Sequence, residues 1–408
     1  MLEPSEHNIS TVIPPQAVLR TTQPEPELEI TTADLDAEMA SLELEMANLV
    51  ESSNSDHHSA STSDAPTLVQ SHQTAIQNTS DQAFRVVDAT ELQGQDFSNK
   101  EMRLADFSRL YLHGTTFCNA DLYSANFREA DLEKADLSNA DMEEADLCLA
   151  NLTAAQLKGA NLTFAVLYTA NLSEAKLHYV DLSHADLREV NLHEGDLQQA
   201  NLYGVHLSFA DLSRVNLSGV QLSQANCREA ILHQVIGYQA NLNQAIFLKT
   251  DFTKADLSHA DMTEARLQYS VFNEATLVGS RLTNANISLA SFCNAYLRTA
   301  NLAQVNGYRA NFSGADLQRV SFASAQLEAA HFVNANLSRA LLQKTNLQGA
   351  DLSGANLSGA NLRGADLRGA KLDHANFNGA NLRDVLVDAS DLEKAQIDGA
   401  RFSAIAPD

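Results

Sequence analysis

The sequence predicts a repeat solenoid, one elongated unit in place of the two or three globular domains that 408 residues would ordinarily form. Three observations predict it. First, Leu or Phe recurs at every fifth residue. The pattern is plainest across 346–382, where Asn346-Leu347-Gln348-Gly349-Ala350 is followed by Asp351-Leu352-Ser353-Gly354-Ala355 and its like. Five is the period of neither a helix nor a strand. Second, the phase holds from Leu92 to Phe402, 63 consecutive pentapeptides without an insertion. Only Cys227, Gly237, Gly307 and Val387 replace Leu, Ile, Met or Phe at the centre. Third, the residue two before each centre is Ala, Val, Thr, Ser or Gly from Thr115 onward. A narrow solenoid has room for one large inward side chain per five residues, so the other must be small.

The Ala-(Asp/Asn)-Leu-X-X pattern resembles the pentapeptide repeat family over about residues 90–403. The resemblance implies an all-β fold: a right-handed quadrilateral parallel β-helix (a solenoid) with four pentapeptides per coil. The central residue and the small residue two before it point inward, and the other three positions face solvent. Such a solenoid would hold roughly 16 coils, about 75 Å of length at an inter-strand spacing of ~4.8 Å. No helix or loop is expected within 105–400. The chain looks similar to bacterial, especially cyanobacterial, members, most of which have no assigned activity.

Residues 1–88 are a different material. They hold 15 acidic and two basic residues, a net charge of −13 out of −25 for the whole chain. Pro4, Pro14, Pro15, Pro24, Pro26 and Pro66 punctuate them. Low hydrophobicity with like charge predicts a disordered acidic tail. Within it Leu35, Met39, Leu42, Met46 and Leu49 are spaced 4, 3, 4, 3. That stripe predicts a short amphipathic helix over about 32–50, a candidate docking or self-association element. Thr31 or Thr32 would cap it.

The repeat region, 89–403, opens gradually. Leu92, Phe97 and Met102 keep the phase, but Gln95 and Lys100 occupy inward slots that they cannot fill, so the first coil should be loose or act as a cap. From Ala105 the pattern is clean. Residues twenty apart should stack in columns, which makes Phe252, Phe272, Phe292, Phe312 and Phe332 one aromatic ladder. Gly237 and Gly307 each replace a core side chain. Either Tyr238 and Tyr308 fold over the gaps or neighbouring large side chains fill them. Outward positions should tolerate change: Asp186→Ala is expected to cost less than ~0.5 kcal/mol.

Two outward groups are candidate protein contacts. Ile231, Ile236 and Ile246 take slots where Asp or Asn is usual, with Tyr238 and Leu248 nearby along the axis. Clustered apolar surface on a polar solenoid suggests a contact site. The second group is acidic: Asp121, Asp131, Asp136, Asp141 and Asp146, in the stretch where acids are densest. At the C-terminal end, Ile397 and Phe402 are in core phase with only 404–408 beyond them. That end is a candidate homodimer surface, with Ile405 as the alternative cover.

Composition narrows the function classes. The repeat region carries a net −12, so direct nucleic-acid binding is not expected. No phosphate loop, dinucleotide fingerprint or zinc motif is present, and the histidines are scattered over different sides and heights. No catalytic residue, cofactor or metal site is assigned, and the chain reads as a non-enzyme. Absence of a ~20-residue apolar run argues against a membrane span, and four unpaired cysteines suit a reducing, cytoplasmic location. The leading expectation is a rigid scaffold for binding another protein. The alternative comes from the resemblance: some members mimic DNA and bind DNA gyrase, inhibiting it or protecting it from quinolones. Magnitude argues against that transfer. A B-DNA segment of ~75 Å bears about 44 phosphate charges, against the net −12 here.

Overall fold

The computed structural model describes residues 92–403. The acidic tail, its helix over 32–50 and residues 404–408 lie outside the described residues. From Asp96 with Thr116 to Asn381 with Arg401, the residue just before a centre pairs in parallel with the residue twenty positions on, Lys371 excepted. Four pentapeptides therefore complete a coil, and the chain forms a right-handed, four-sided parallel β-helix. Its sides are named here by their central residues. Side 1 carries Leu122, Met142 and Leu162. Side 2 carries Phe127, Leu147 and Leu167, side 3 Leu132, Leu152 and Leu172, and side 4 Leu137, Leu157 and Leu177.

One pentapeptide explains the rest, because its backbone donors can all be accounted for. Asp121 N–H donates one coil back to Lys100 O at 2.9 Å. Leu122 and Ser124 donate one coil forward, to Asp141 O at 2.7 Å and Glu143 O at 2.8 Å. Ala125 N–H closes the turn on Leu122 O at 2.9 Å. Only Tyr123 N–H is left without a backbone acceptor, and the Asp121 carboxylate takes it at 3.2 Å. This is the chemical reason for Asp or Asn before most centres: both offer a short side-chain oxygen to the amide two residues on.

The turn carries a cost that the ladder offsets. Its third residue has positive φ at every repeat from Gly94 to Gly399 except Ala389 and Lys394. For a non-glycine residue the left-handed conformation costs about 1–2 kcal/mol. Glu, Gln, Lys, Phe and Tyr all accept it here, at φ values from 55° to 62°. In the glycine-rich stretch 346–382 every such position but His374 is glycine and meets the same demand without that penalty.

Central and small residues fill the core as expected. Phe252, Phe272, Phe292, Phe312 and Phe332 stack with ring centroids 4.6–5.1 Å apart and planes within 9°. Hydroxyls in the small slots are satisfied locally: Thr115 donates to Leu112 O at 2.6 Å and Thr250 to Cys227 O at 2.7 Å. The two core glycines are resolved in favour of filling from within. A Cβ on Gly237 would lie 2.8 Å from Leu257 Cδ2, and one on Gly307 2.6 Å from Leu327 Cδ2. Tyr238 stays outward, 44% exposed. At the first coil Gln95 and Lys100 are exposed, while their backbone carbonyls already receive Thr116 and Asp121.

The uninterrupted repeat is corrected at one place. Residues Ala389–Leu392 form a short helix, α1. Lys371 accordingly pairs with Asp351 only, while Asn376 pairs with Gln396 as the register requires. His374 N–H reaches Lys394 O, one residue further than the usual partner. α1 thus absorbs a local slip and leaves the twenty-residue column spacing intact.

Candidate protein-binding surfaces

The acidic candidates are held as turn caps. Asp121, Asp131, Asp136, Asp141 and Asp146 accept the amides of Tyr123, Glu133, Ser138, Glu143 and Cys148 at 2.9–3.4 Å. Asp121 and Asp141 lie on side 1, Asp146 on side 2, Asp131 on side 3 and Asp136 on side 4. The fold therefore distributes them around the coil and brings no single acidic face together. Burial pushes the Asp136 carboxyl up, but hydrogen bonds from Ser138 and Cys118 outweigh it and hold the group below its usual value. Stacked carboxylates are relieved by amides. Asn161 Nδ2 donates to Asp141 Oδ1 at 2.9 Å and Asn151 Nδ2 to Asp131 Oδ1 at 2.9 Å.

A family model for pentapeptide repeats matches the chain in segments from 89–122 to 350–386. The chain belongs to the pentapeptide repeat family. Among solved structures it is similar to QnrB1, a plasmid-mediated fluoroquinolone resistance protein, at 21% identity. That match covers 44% of this chain and 89% of the other, with a TM-score of 0.40. It is also similar to HetL, a pentapeptide repeat protein involved in heterocyst differentiation regulation from Nostoc sp. strain PCC 7120. There the identity is 28%, the coverage 67% and 91%, and the TM-score 0.19. Rfr23 from Cyanothece 51142 matches at 30% identity over 30% of this chain and 60% of that one, with a TM-score of 0.16. No curated protein matches the chain.

In this pentapeptide repeat protein the apolar candidates divide. Ile231 on side 3 and Ile236 with Tyr238 on side 4 are all exposed and lie around one corner. Ile246 is half-buried and sits on side 2, opposite side 4. Leu248 is corrected: it is 2% exposed and belongs to no surface patch. The buried outward residues Cys148, Ser208, Leu248, Gln268 and Ser288 all share one column of side 2. Arg228 and Gln268 flank Leu248 in that column, and side chains of that length cover a shorter neighbour.

Ile231 and Ile236 differ from their column neighbours in a second way. Neither can cap the amide two residues on, and His233 N–H and Tyr238 N–H have no acceptor among the described residues. Tyr238 packs edge-on against His259, ring centroids 5.7 Å apart.

A further group was only partly visible in the sequence. Phe164 and Tyr203 are outward by phase, but His184 joins them: it stacks on Phe164 at 5.2 Å and meets Tyr203 edge-on at 5.4 Å. A Cβ on Gly204 would lie 2.9 Å from His184 Nδ1, so the missing side chain at 204 makes room for the ring. The twenty-residue column spacing was the available signal, since Phe164, His184 and Gly204 share one column.

The four cysteines are free, and Cys148 and Cys227 are buried. Burial, with Asp136 and Asp146 beside them, pushes the Cys118 and Cys148 thiols up to about 11. Both are therefore poor nucleophiles at neutral pH. Among the described residues no group of three His, Cys, Asp or Glu is placed to hold a metal ion. No helix among them is long and apolar enough to cross a membrane.

Proposed function

We propose that this chain is a non-enzymatic scaffold whose outward columns bind another protein, with the corner formed by Ile231, Ile236 and Tyr238 as one contact surface. The observation that carries the reading is exposed isoleucine in two neighbouring slots that lack a cap, on adjoining sides. Two neighbouring pentapeptides give up a side-chain hydrogen bond to a backbone amide, worth about 1 kcal/mol each, and expose isoleucine in its place. A solenoid selected for stability alone would keep Asp or Asn there. The fold presents these side chains at fixed separations, so a partner meets a preorganised surface.

Affinity capture with the full chain tests this, comparing wild type with Ile231→Asn/Ile236→Asn. The double variant restores both caps and should melt no lower than wild type while losing a retained partner. Equal retention of every partner by the two proteins would refute the assignment of this corner. The homodimer expected through Ile397 and Phe402 belongs to the same proposal: Phe402 is 44% exposed. A sedimentation coefficient unchanged by concentration would remove it.

A further inference from the structure

Cations on this β-helix normally stack against acids one coil away. Arg109 meets Glu129 at 3.0 Å, Arg214 meets Glu194 at 2.9 Å, Arg281 meets Asp261 at 2.8 Å and Lys371 meets Asp351 at 3.6 Å. One column, at Arg319 and Arg339, breaks this rule outright. Arg319 stacks over Arg339 at the corner of side 4; on adjoining side 1 Arg363 lies over Arg383, and these two share a single acid, Asp384. Like charges one strand spacing apart are destabilising. Sides 4 and 1 between 315 and 384 hold only two acids, Asp316 and Asp384. Both are already engaged, by Arg298 and by Arg363 at 3.2 Å. Among the described residues Arg319, Arg339 and Lys344 form no ion pair with an acid, and all three are exposed; Arg383 is exposed as well, beside Asp384, whose carboxyl it helps hold down.

Leu341 lies in the middle of this set. It occupies a slot where Asp or Asn is usual and is 43% exposed, flanked within its own coil by Arg339 and Lys344. Beside Arg319 and Arg339 runs a shallow groove of about 400 Å³, lined also by Gln318, Ser338, Asn356 and Ser358. A chain with a net charge of −25 has thus gathered unneutralised cations around one apolar side chain.

We propose that sides 4 and 1 over residues 315–384 dock an acidic peptide segment of a partner protein. Its carboxylates would pair with the Arg319/Arg339 column and the Lys344/Arg383 flank, and an apolar residue would seat on Leu341. Charge complementarity selects this occupant: no acid pairs with the Arg319/Arg339 column, so its repulsion is relieved only when anions lie alongside it. Planar guanidinium groups suit carboxylates, which they bind in bidentate fashion. The inference rests on the scaffold reading and names the chemistry of a partner, at a surface separate from Ile231 and Ile236.

The test is fluorescence anisotropy with the full chain and a labelled peptide of alternating glutamate and leucine. The same sequence with glutamine for glutamate, and a labelled duplex DNA, serve as comparison probes. The glutamate peptide should bind in low salt, weaken as salt rises, and outbind the glutamine peptide. Arg319→Glu/Arg339→Glu should weaken it at least about tenfold, because two attractions become repulsions. Arg214→Glu/Lys254→Glu, the same change in net charge placed on side 3, should change it less than about twofold. Leu341→Asn should weaken it while raising the melting temperature by restoring a cap. Ile231→Asn/Ile236→Asn should leave it unchanged, which separates failure here from failure of the other surface. Equal weakening by the two double charge reversals would overturn the proposal. So would duplex DNA binding in preference to the peptide, or no binding of the peptide at all.

Discussion

Asp181→Ala should destabilise the β-helix by about 1–2 kcal/mol at neutral pH. The Asp181 carboxylate accepts the Ser183 amide at 2.9 Å, the Ser183 hydroxyl at 2.6 Å and Asn201 Nδ2 at 3.1 Å. Losing a cap to a backbone amide costs about 1 kcal/mol, and the ionised acceptor adds to that. The side chain is half-buried, so solvent keeps the total below the figure for a sealed site. Burial raises the Asp181 carboxyl, but Ser183 and Asn201 outweigh it and hold the folded-state pKa below the ordinary value. A depressed carboxylate contributes fully above the unfolded pKa of about 4, and its contribution is lost as pH falls through the folded value. Urea denaturation of wild type, Asp181→Ala and Asp181→Asn at pH 7 and below pH 3 measures both effects. Midpoints are compared at unchanged slope, since long repeat arrays depart from two-state behaviour. Asparagine should restore part of the loss by supplying the oxygen without the charge. The gap between wild type and alanine should narrow in acid. An alanine variant within about 0.3 kcal/mol of wild type at pH 7, or a gap equal at both pH values, would refute the cap as an energetic element.

Leu192→Asp should unfold the middle coils, because Leu192 is fully buried and an unpaired charge there has no acceptor or solvent; loss of the β signal on circular dichroism checks it. Gly349→Ala should cost about 1 kcal/mol in a urea melt, all of it backbone strain, since φ is +63° and no atom lies within 4 Å of the added Cβ. The purified protein should neither inhibit DNA gyrase nor protect it from a quinolone at low micromolar concentration; a supercoiling assay with and without the drug decides this, and clear inhibition would favour DNA mimicry over the scaffold reading.

The phase of the repeat made the core legible from the residues alone. One inward slot in five, a small partner two places before it and columns twenty apart locate Phe252 to Phe332 without coordinates. The reason for Asp and Asn was not legible, because it lies in a backbone amide that finds no backbone acceptor in a neighbouring coil. That omission made Asp186 look free to change. Its carboxylate instead accepts the Arg188 amide at 3.2 Å and the Arg188 side chain at 2.6 Å, so Asp186→Ala should cost about 1 kcal/mol, above the ~0.5 kcal/mol expected of an outward residue. Position along the axis also misled. Ile246 is close to Ile236 in sequence yet half a coil around, and Leu248 is hidden by the lengths of its column neighbours. Residue types do not announce α1 either: Ala154 and Ala329 take the left-handed turn position that Ala389 declines.

Hydrogen exchange resolved at single amides tests the account most directly, because it reads the cap at every pentapeptide in one experiment. The amides of Ser183, Ser213 and Ser258, each held by an aspartate at 2.9–3.0 Å, should exchange slowly in the free protein. Those of His233 and Tyr238, behind Ile231 and Ile236, should exchange at least about tenfold faster, the equivalent of one lost cap at ~1.4 kcal/mol. Binding of the partner should then slow these two amides selectively. Uniform protection across all five in the free protein would contradict the account.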